Sequence, residues 1–317
     1  MQSKNTCVIA LVLICSTGCG EYGGEVSAGE SGDYFGEPPP GAAPRLFGAG
    51  LLSTDLNELN CAFAPDGSMV VFSEWSEGQT KLMAIAREGD GWSPRAVLPF
   101  SGSASDVDPF FSADGSELYF SSKRPRDDDD TKADSDLWYV KRTPSGDWGQ
   151  PVPVAGVNSP DMDEYYTSIS SRGALYFSVF AEHGSPGDIY RADREEGGYA
   201  SPERIGGDIS TEYSEHDPFI APDESFLIFT STRPGGHGRG DLWVAFQMPD
   251  GGWSEALNMG PEVNSEGYDY CPMLSPDGQF LFFTRNAGGN GDIYWVDAKV
   301  IERLRGNLQS INKDATH

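Results

Sequence analysis

Asn60-Cys61-Ala62-Phe63-Ala64-Pro65-Asp66-Gly67 runs directly into the apolar, β-rich stretch 69–72. An extended segment, a tight Asp-Gly turn and a second extended segment predict a hairpin. The phrase returns as Asp108-Pro109-Phe110-Phe111-Ser112-Ala113-Asp114-Gly115 and as Tyr166-Thr167-Ser168-Ile169-Ser170-Ser171-Arg172-Gly173. It returns again as Asp217-Pro218-Phe219-Ile220-Ala221-Pro222-Asp223-Glu224 and Cys271-Pro272-Met273-Leu274-Ser275-Pro276-Asp277-Gly278. The turn positions 66, 114, 172, 223 and 277 lie 48, 58, 51 and 54 residues apart. A period of about 50 residues with several strands per unit predicts a propeller rather than a helical solenoid.

Each unit continues with a third strand that opens on Asp136-Leu137-Trp138, Asp188-Ile189-Tyr190, Asp241-Leu242-Trp243 or Asp292-Ile293-Tyr294, and on Lys81-Leu82-Met83 in the first. A fourth segment follows at Gly91-Trp92-Ser93-Pro94, Asp147-Trp148-Gly149, Gly198-Tyr199-Ala200 and Gly252-Trp253-Ser254. The fifth unit lacks that segment and turns helix-like after Val296. Its counterpart stands at the other end of the chain, where 44–54 matches 202–211 in register. The expected fold is therefore all-β, a five-bladed β-propeller of four-stranded blades, with 44–54 completing the last blade and closing the ring. Six blades are the alternative. The expected organisation is a leader over 1–18, a polar tether over 19–43, the propeller over 44–297 and a helix or tail over 298–317.

The Pro-Asp-Gly turn, the aromatic strand after it, Arg233-Pro234-Gly235-Gly236 and the Asp-Ile-Tyr strand resemble the TolB-type β-propeller repeats, relatives of WD repeats. The resemblance covers 44–297. It implies a rigid scaffold with binding surfaces at the ends of a central channel. TolB itself has six blades and a separate α/β domain, so its role in the envelope is not carried over.

At the N-terminus Lys4 precedes an apolar core from Cys7 to Cys15, and Ser16-Thr17-Gly18-Cys19 follows. This resembles the signal and lipobox of bacterial lipoproteins, which implies a lipid on Cys19; an ordinary secretory signal with an incidental cysteine is the alternative. Gly20 after the cysteine favours the outer membrane, so the expected place is the cell envelope, facing periplasm or cell surface. The formal charge of −27 speaks against nucleic acid and against adsorption to anionic lipid. Contact with membrane is expected through the lipid anchor only. Cys61 and Cys271 fall in the first and last repeats, and a bridge across the closure stands beside two free thiols as an open alternative.

Eight positions before each turn residue the chain carries Glu58, Asp106, Glu164, Glu215 and Asp269. Such a column predicts a carboxylate ring near one mouth of the channel, with Asp108, Asp163 and Asp217 close by. Calcium is one candidate occupant, since it prefers several carboxylate oxygens. In the other reading each carboxylate accepts hydrogen bonds from backbone or from a basic residue of the next blade and fixes blade-to-blade geometry, and recurrence in every blade favours this packing role. The acidic loop 126–136 lacks the glycine and terminal glutamate of a calcium loop.

Symmetry breakers are the better functional candidates. His216 stands between Glu215 and Asp217, and with Tyr165, Tyr166, Tyr268 and Tyr270 it predicts an aromatic and acidic rim suited to a sugar or a peptide. The chain has no Gly-x-Ser-x-Gly elbow, His-Glu-x-x-His pair, phosphate-binding glycine loop or Cys-x-x-Cys. The expected function is a non-catalytic envelope module that binds protein or glycan and needs no cofactor. The alternatives are a glycoside hydrolase or lyase using channel carboxylates and a calcium-dependent adhesin.

Overall fold

The computed structural model describes residues 33–127, 134–181 and 184–314, without the side chains of 311–314. The leader, the lipidation cysteine Cys19 and the middle of the acidic loop lie outside the described residues. Five four-stranded antiparallel blades form a ring. Blade I comprises Asn57–Phe63, Met69–Ser76, Gln79–Glu88 and Ala96–Val97. Blade II comprises Asp106–Phe111, Glu117–Ser122, Asp136–Lys141 and Val152–Pro153. Blade III comprises Asp163–Ile169, Leu175–Phe180, Gly187–Ala192 and Glu203–Arg204. Blade IV comprises Glu215–Ile220, Phe226–Ser231, Asp241–Phe246 and Leu257–Asn258.

Blade V takes Tyr268–Leu274, Phe280–Asn286 and Gly291–Asp297 from the end of the repeats and Arg45–Leu46 from their beginning, with Arg45 opposite Trp295 and Leu46 opposite Tyr294. Glu203 and Arg204 stand in the same register against Arg191 and Tyr190. The loop after the latch behaves likewise. In every blade the apolar residue that follows the Asp (Lys81 in blade I) of the third-strand motif donates its N–H to a side-chain oxygen of the loop that leads into the next blade. The pairs are Leu82 to Ser101, Leu137 to Asn158, Ile189 to Ser210, Leu242 to Asn264 and, across the closure, Ile293 to Ser53. The leading strand thus reproduces what the other four blades make from contiguous chain.

The fourth strands are two residues long and lie just beyond the segments expected to form them. Those segments carry Trp92, Trp148, Tyr199 and Trp253, which fold back on the end of the third strand instead. Short, exposed outer strands leave little open edge for pairing with another chain.

Five apolar clusters fill the five spaces between neighbouring blades. The C-terminal helix Lys299–Asp314 adds Val300 and Ile301 to the cluster between blades IV and V. The closure cluster shows a departure from the expected tether over 19–43. Tyr34 and Phe35 turn inward in a tight bend, Phe35 stacking on Phe47 and meeting Trp92 edge-on, and Tyr34 packing against Phe63, Phe280 and Trp295. Two adjacent aromatic residues in a polar stretch carry enough apolar surface to hold the chain against the ring. Cys61 and Cys271 are separate, buried thiols. Their one-residue offset in the repeat sends Cys61 into the closure cluster and Cys271 towards Asp217 and Asp108.

Phe47 is fully buried among Phe35, Phe63, Phe282 and Trp295. Phe47→Ala is expected to lower stability in urea unfolding by about 3–5 kcal/mol. Val97→Ser, on an exposed outer strand, is expected to stay within about 0.5 kcal/mol of the parent.

Candidate functional site

The five innermost strands share one irregularity. Their ladders slip at Leu59/Cys61, Val107/Phe110, Tyr165/Ser168, His216/Phe219 and Tyr270/Met273. At each slip a residue other than glycine takes a left-handed conformation: Asn60 (φ 39°), Asp108 (59°), Tyr166 (56°), Asp217 (53°) and Cys271 (53°). Proline follows in blades II, IV and V and fits a place where no ladder donor is needed. The strain is offset by a bond to the neighbouring blade. Asn60 N–H donates to Thr284 Oγ1 at 2.9 Å, Asp108 to Ser73 Oγ at 3.0 Å, Tyr166 to Ser121 Oγ at 3.3 Å and Asp217 to Ser178 Oγ at 2.8 Å. Blade V departs, for Cys271 N–H donates to Asp217 Oδ2 at 3.2 Å and the matching hydroxyl, Thr230 Oγ1, has no partner among the described residues.

These five residues surround the axis. Tyr166 is fully buried and reaches past blade IV to donate its hydroxyl to the Pro272 carbonyl at 2.6 Å. Its ring thereby spans from blade III to blade V at the axis. The mouth at the Asp-Gly turns is a cavity of about 240 Å³ lined by apolar groups that include Phe63, Phe111, Phe219 and Met273. The mouth at the other end holds the residues singled out in the sequence.

The predicted carboxylate column is here, and four of its five members are neutralised. Glu58 pairs with Arg95 (2.9 Å), Asp106 with Arg124 (2.7 Å), Glu215 with Arg233 (3.2 Å) and Asp269 with Arg285 (2.6 Å). Each also accepts a hydroxyl from the loop before it, from Thr54, Ser101, Thr211 and Ser265 in turn. Each guanidinium donates to a carbonyl of that same loop, at Leu52, Phe100, Ile209 and Val263, and lies over a strand aromatic, at Phe72, Phe120, Phe229 and Phe283. The column therefore fastens these linking loops to blades, with an arginine of the carboxylate's own blade rather than of the next one.

Glu164 is the exception. The position that carries Arg124 and Arg233 in blades II and IV, two residues after the partner of the carboxylate, is Ala181 in blade III. Glu164 accepts the Ser159 N–H, its Oε2 has no partner among the described residues, and burial, helped by the charges of Asp136 and Asp134, raises its pKa to about 9.

The symmetry breakers do converge. His216 Nδ1 lies 3.0 Å from Asp217 Oδ2 and its Nε2 2.8 Å from Tyr268 Oη. An aromatic arc runs Tyr165, Phe180, His216, Tyr268, Tyr270, with neighbouring rings 5.4 to 6.0 Å apart. Beneath it Asp108 and Asp217 are 7% and 8% exposed, and both lie within 4.0 Å of the Cys271 sulfur. Burial, and then the charge of Asp217, raises the pKa of Asp108 well above the usual carboxylate range. Asp163 belongs elsewhere: it accepts the Ser135 N–H at 2.7 Å. Among the described residues no three histidine, cysteine, aspartate or glutamate side chains are grouped to hold a metal ion.

Four exposed apolar side chains stand around this mouth. Leu56, Met162 and Tyr213 each sit two residues before a column carboxylate, and Trp75 is the partner of Asn57 on the adjacent strand. The remaining exposed large apolar residues among those described, Leu46, Val97 and Val152, lie on outer strands. Sequence reading missed the arginine clasp and the axial roles of Asn60 and Cys271. Their signals are the repeated Ser-x-Arg-Pro at 122–125 and 231–234 and the shared position six residues before each turn residue.

No protein-family model matches the chain, and no curated protein matches its sequence. Among solved structures it is similar to a putative TolB from Agrobacterium tumefaciens, with 22% identity, 76% of this chain and 81% of that one covered, and a TM-score of 0.49. It is similar to an endo-arabinase from Bacteroides thetaiotaomicron, with 14% identity, 78% and 95% covered and a TM-score of 0.51. The catalytic domain of an α-L-arabinofuranosidase from Coprinopsis cinerea has 11% identity, 80% and 97% covered and a TM-score of 0.49. At these identities the likenesses bear on the fold alone.

Arg233→Ala would leave the fully buried Glu215 without its cation, and an expected loss of about 3–5 kcal/mol is read by chemical denaturation. For Glu164 the native carboxyl keeps its proton longer than the unfolded one, so its contribution is complete below pH 4.5 and erodes as pH rises towards about 9. Stability measured across that window is expected to fall more steeply in the parent than in Glu164→Gln.

Proposed function

We propose that the chain is a lipid-anchored cell-envelope propeller, held through Cys19, that binds another molecule, protein or glycan, at the mouth bearing His216 and does so without catalysis. The observation that carries the binding reading is the set of exposed apolar groups, Leu56, Trp75, Met162 and Tyr213, standing around that mouth. Apolar side chains gathered at the entrance of an otherwise acidic surface mark a contact surface. The arginine clasps support the absence of catalysis, because a carboxylate held by guanidinium, hydroxyl and backbone is not free to move a proton.

A second reading rests on the axial pair. Two buried carboxyls in unlike settings, Asp108 held towards its neutral form and Asp217 bonded to His216, are the groups that sugar-cleaving sites use as acid and base. In that reading Asp108 and Asp217 replace Asp106, Glu164, Glu215 and Asp269 as the candidates.

The full-length chain, purified in detergent, is expected to capture a partner from envelope extracts. A Leu56→Ser, Met162→Ser, Tyr213→Ser triple variant with unchanged melting is expected to capture at least tenfold less. Equal capture would count against the binding surface. Sugar ends released from arabinan or polygalacturonate, and lost in Asp217→Asn, would replace this reading with the enzymatic one. Cys19→Ser is expected to move the chain from the membrane fraction to the soluble fraction.

A further inference from the structure

The axial well differs from the carboxylate column in what it lacks. Four column carboxylates have an arginine. No lysine or arginine is paired with Asp108 or Asp217 among the described residues; Asp108 meets the Cys271 thiol and the Tyr166 backbone N–H, and Asp217 meets the Cys271 thiol, the Cys271 N–H and His216. Asn60 supplies a separate observation. It is 1% exposed, its amide nitrogen donates to the Pro109 carbonyl beside Asp108, and its Oδ1 has no partner among the described residues. A buried acceptor left unpaired costs about 1–3 kcal/mol, and this one sits on the same ring position as the two aspartates.

The axial group thus presents acceptors from three blades with no lysine or arginine paired to them among the described residues. Tyr166 lies beside Asp108 and Asp217, and Tyr268 and Tyr270 flank them. A primary ammonium carries one positive charge and three donors, and aromatic walls favour it further. Guanidinium is planar and would aim its donors in one plane, a poorer match to acceptors arranged around an axis. Around the entrance, Leu56, Met162 and Tyr213 would meet apolar neighbours of the inserted group.

We propose that the mouth bearing His216 recognises a lysine side chain of a partner protein, its ammonium seated among Asn60, Asp108 and Asp217 and its flanking apolar residues resting on Leu56, Met162 and Tyr213. This rests on the binding reading above and names the partner's chemistry.

The test uses the full-length chain in detergent, titrated with a short acetylated peptide carrying Leu-Lys-Leu and with the same peptide carrying norleucine in place of lysine. Calcium chloride alone forms a third arm. The expected result is saturable binding of the lysine peptide by calorimetry, at least tenfold weaker in Asp108→Asn and in Asp217→Asn, with the norleucine peptide also at least tenfold weaker. Equal binding of the two peptides, no binding of either, or displacement of the lysine peptide by calcium at equimolar concentration would overturn the proposal. Asp108→Asn decides the matter if Asp217→Asn fails to fold, because Asp217 also holds the Cys271 backbone. Capture from envelope extracts that is lost in the Leu56, Met162, Tyr213 triple variant but kept in Asp108→Asn would leave the binding surface standing and remove the ammonium seat.

Discussion

The structure depends on a strained residue in each blade. A side chain other than glycine in the left-handed region costs about 1–3 kcal/mol, and here five of them recur at one position, Asn60, Asp108, Tyr166, Asp217 and Cys271. In four blades the slip aims an N–H at a hydroxyl of the neighbouring second strand, so a conformation unfavourable within a blade becomes a bond between blades. Ring closure and strand irregularity are one device. The same slip turns five side chains towards the axis, which is why the ring centre is chemically diverse although the blades are alike.

Symmetry then sorts structure from function. What recurs in nearly every blade is packing: the bulge bond, the loop-to-third-strand bond, and the clasp of carboxylate, hydroxyl and arginine. Features that occur once gather at one mouth. Blade IV supplies the histidine, blade V the cysteine and two tyrosines, and blade III the tyrosine that reaches blade V at the axis. Blade III also lacks the clasp arginine, and its buried carboxyl responds by holding a proton.

Much of this was legible in the chain. A turn phrase repeated at near-constant spacing gave five blades, and the register of 44–54 against 202–211 gave the latch, because a sheet edge left open in one repeat must be completed from elsewhere. The acidic column was legible as a column, and its recurrence as a sign of packing. The arginines were not, since they approach from different places in different blades, Arg95 from just before the outer strand and Arg285 from the position facing Asp269. Nor were Tyr34 and Phe35, whose burial depends on a pocket between Phe47, Trp92 and Trp295 that forms only once the ring is closed. The convergence of Asn60, Asp108 and Asp217 needs the bulge: their shared position six residues before each turn residue is visible in the chain, but the left-handed conformation that brings them together is not.

The central claim is that the bulge N–H groups are inter-blade bonds rather than loop amides, and hydrogen exchange measured amide by amide on the native chain tests it most directly. The account predicts that the amides of Asn60, Asp108, Tyr166 and Asp217 exchange as slowly as the second-strand amides around Phe72, Phe120, Phe177 and Phe229. Exchange at the rate of the exposed turns around Gly67 and Gly115 would contradict it.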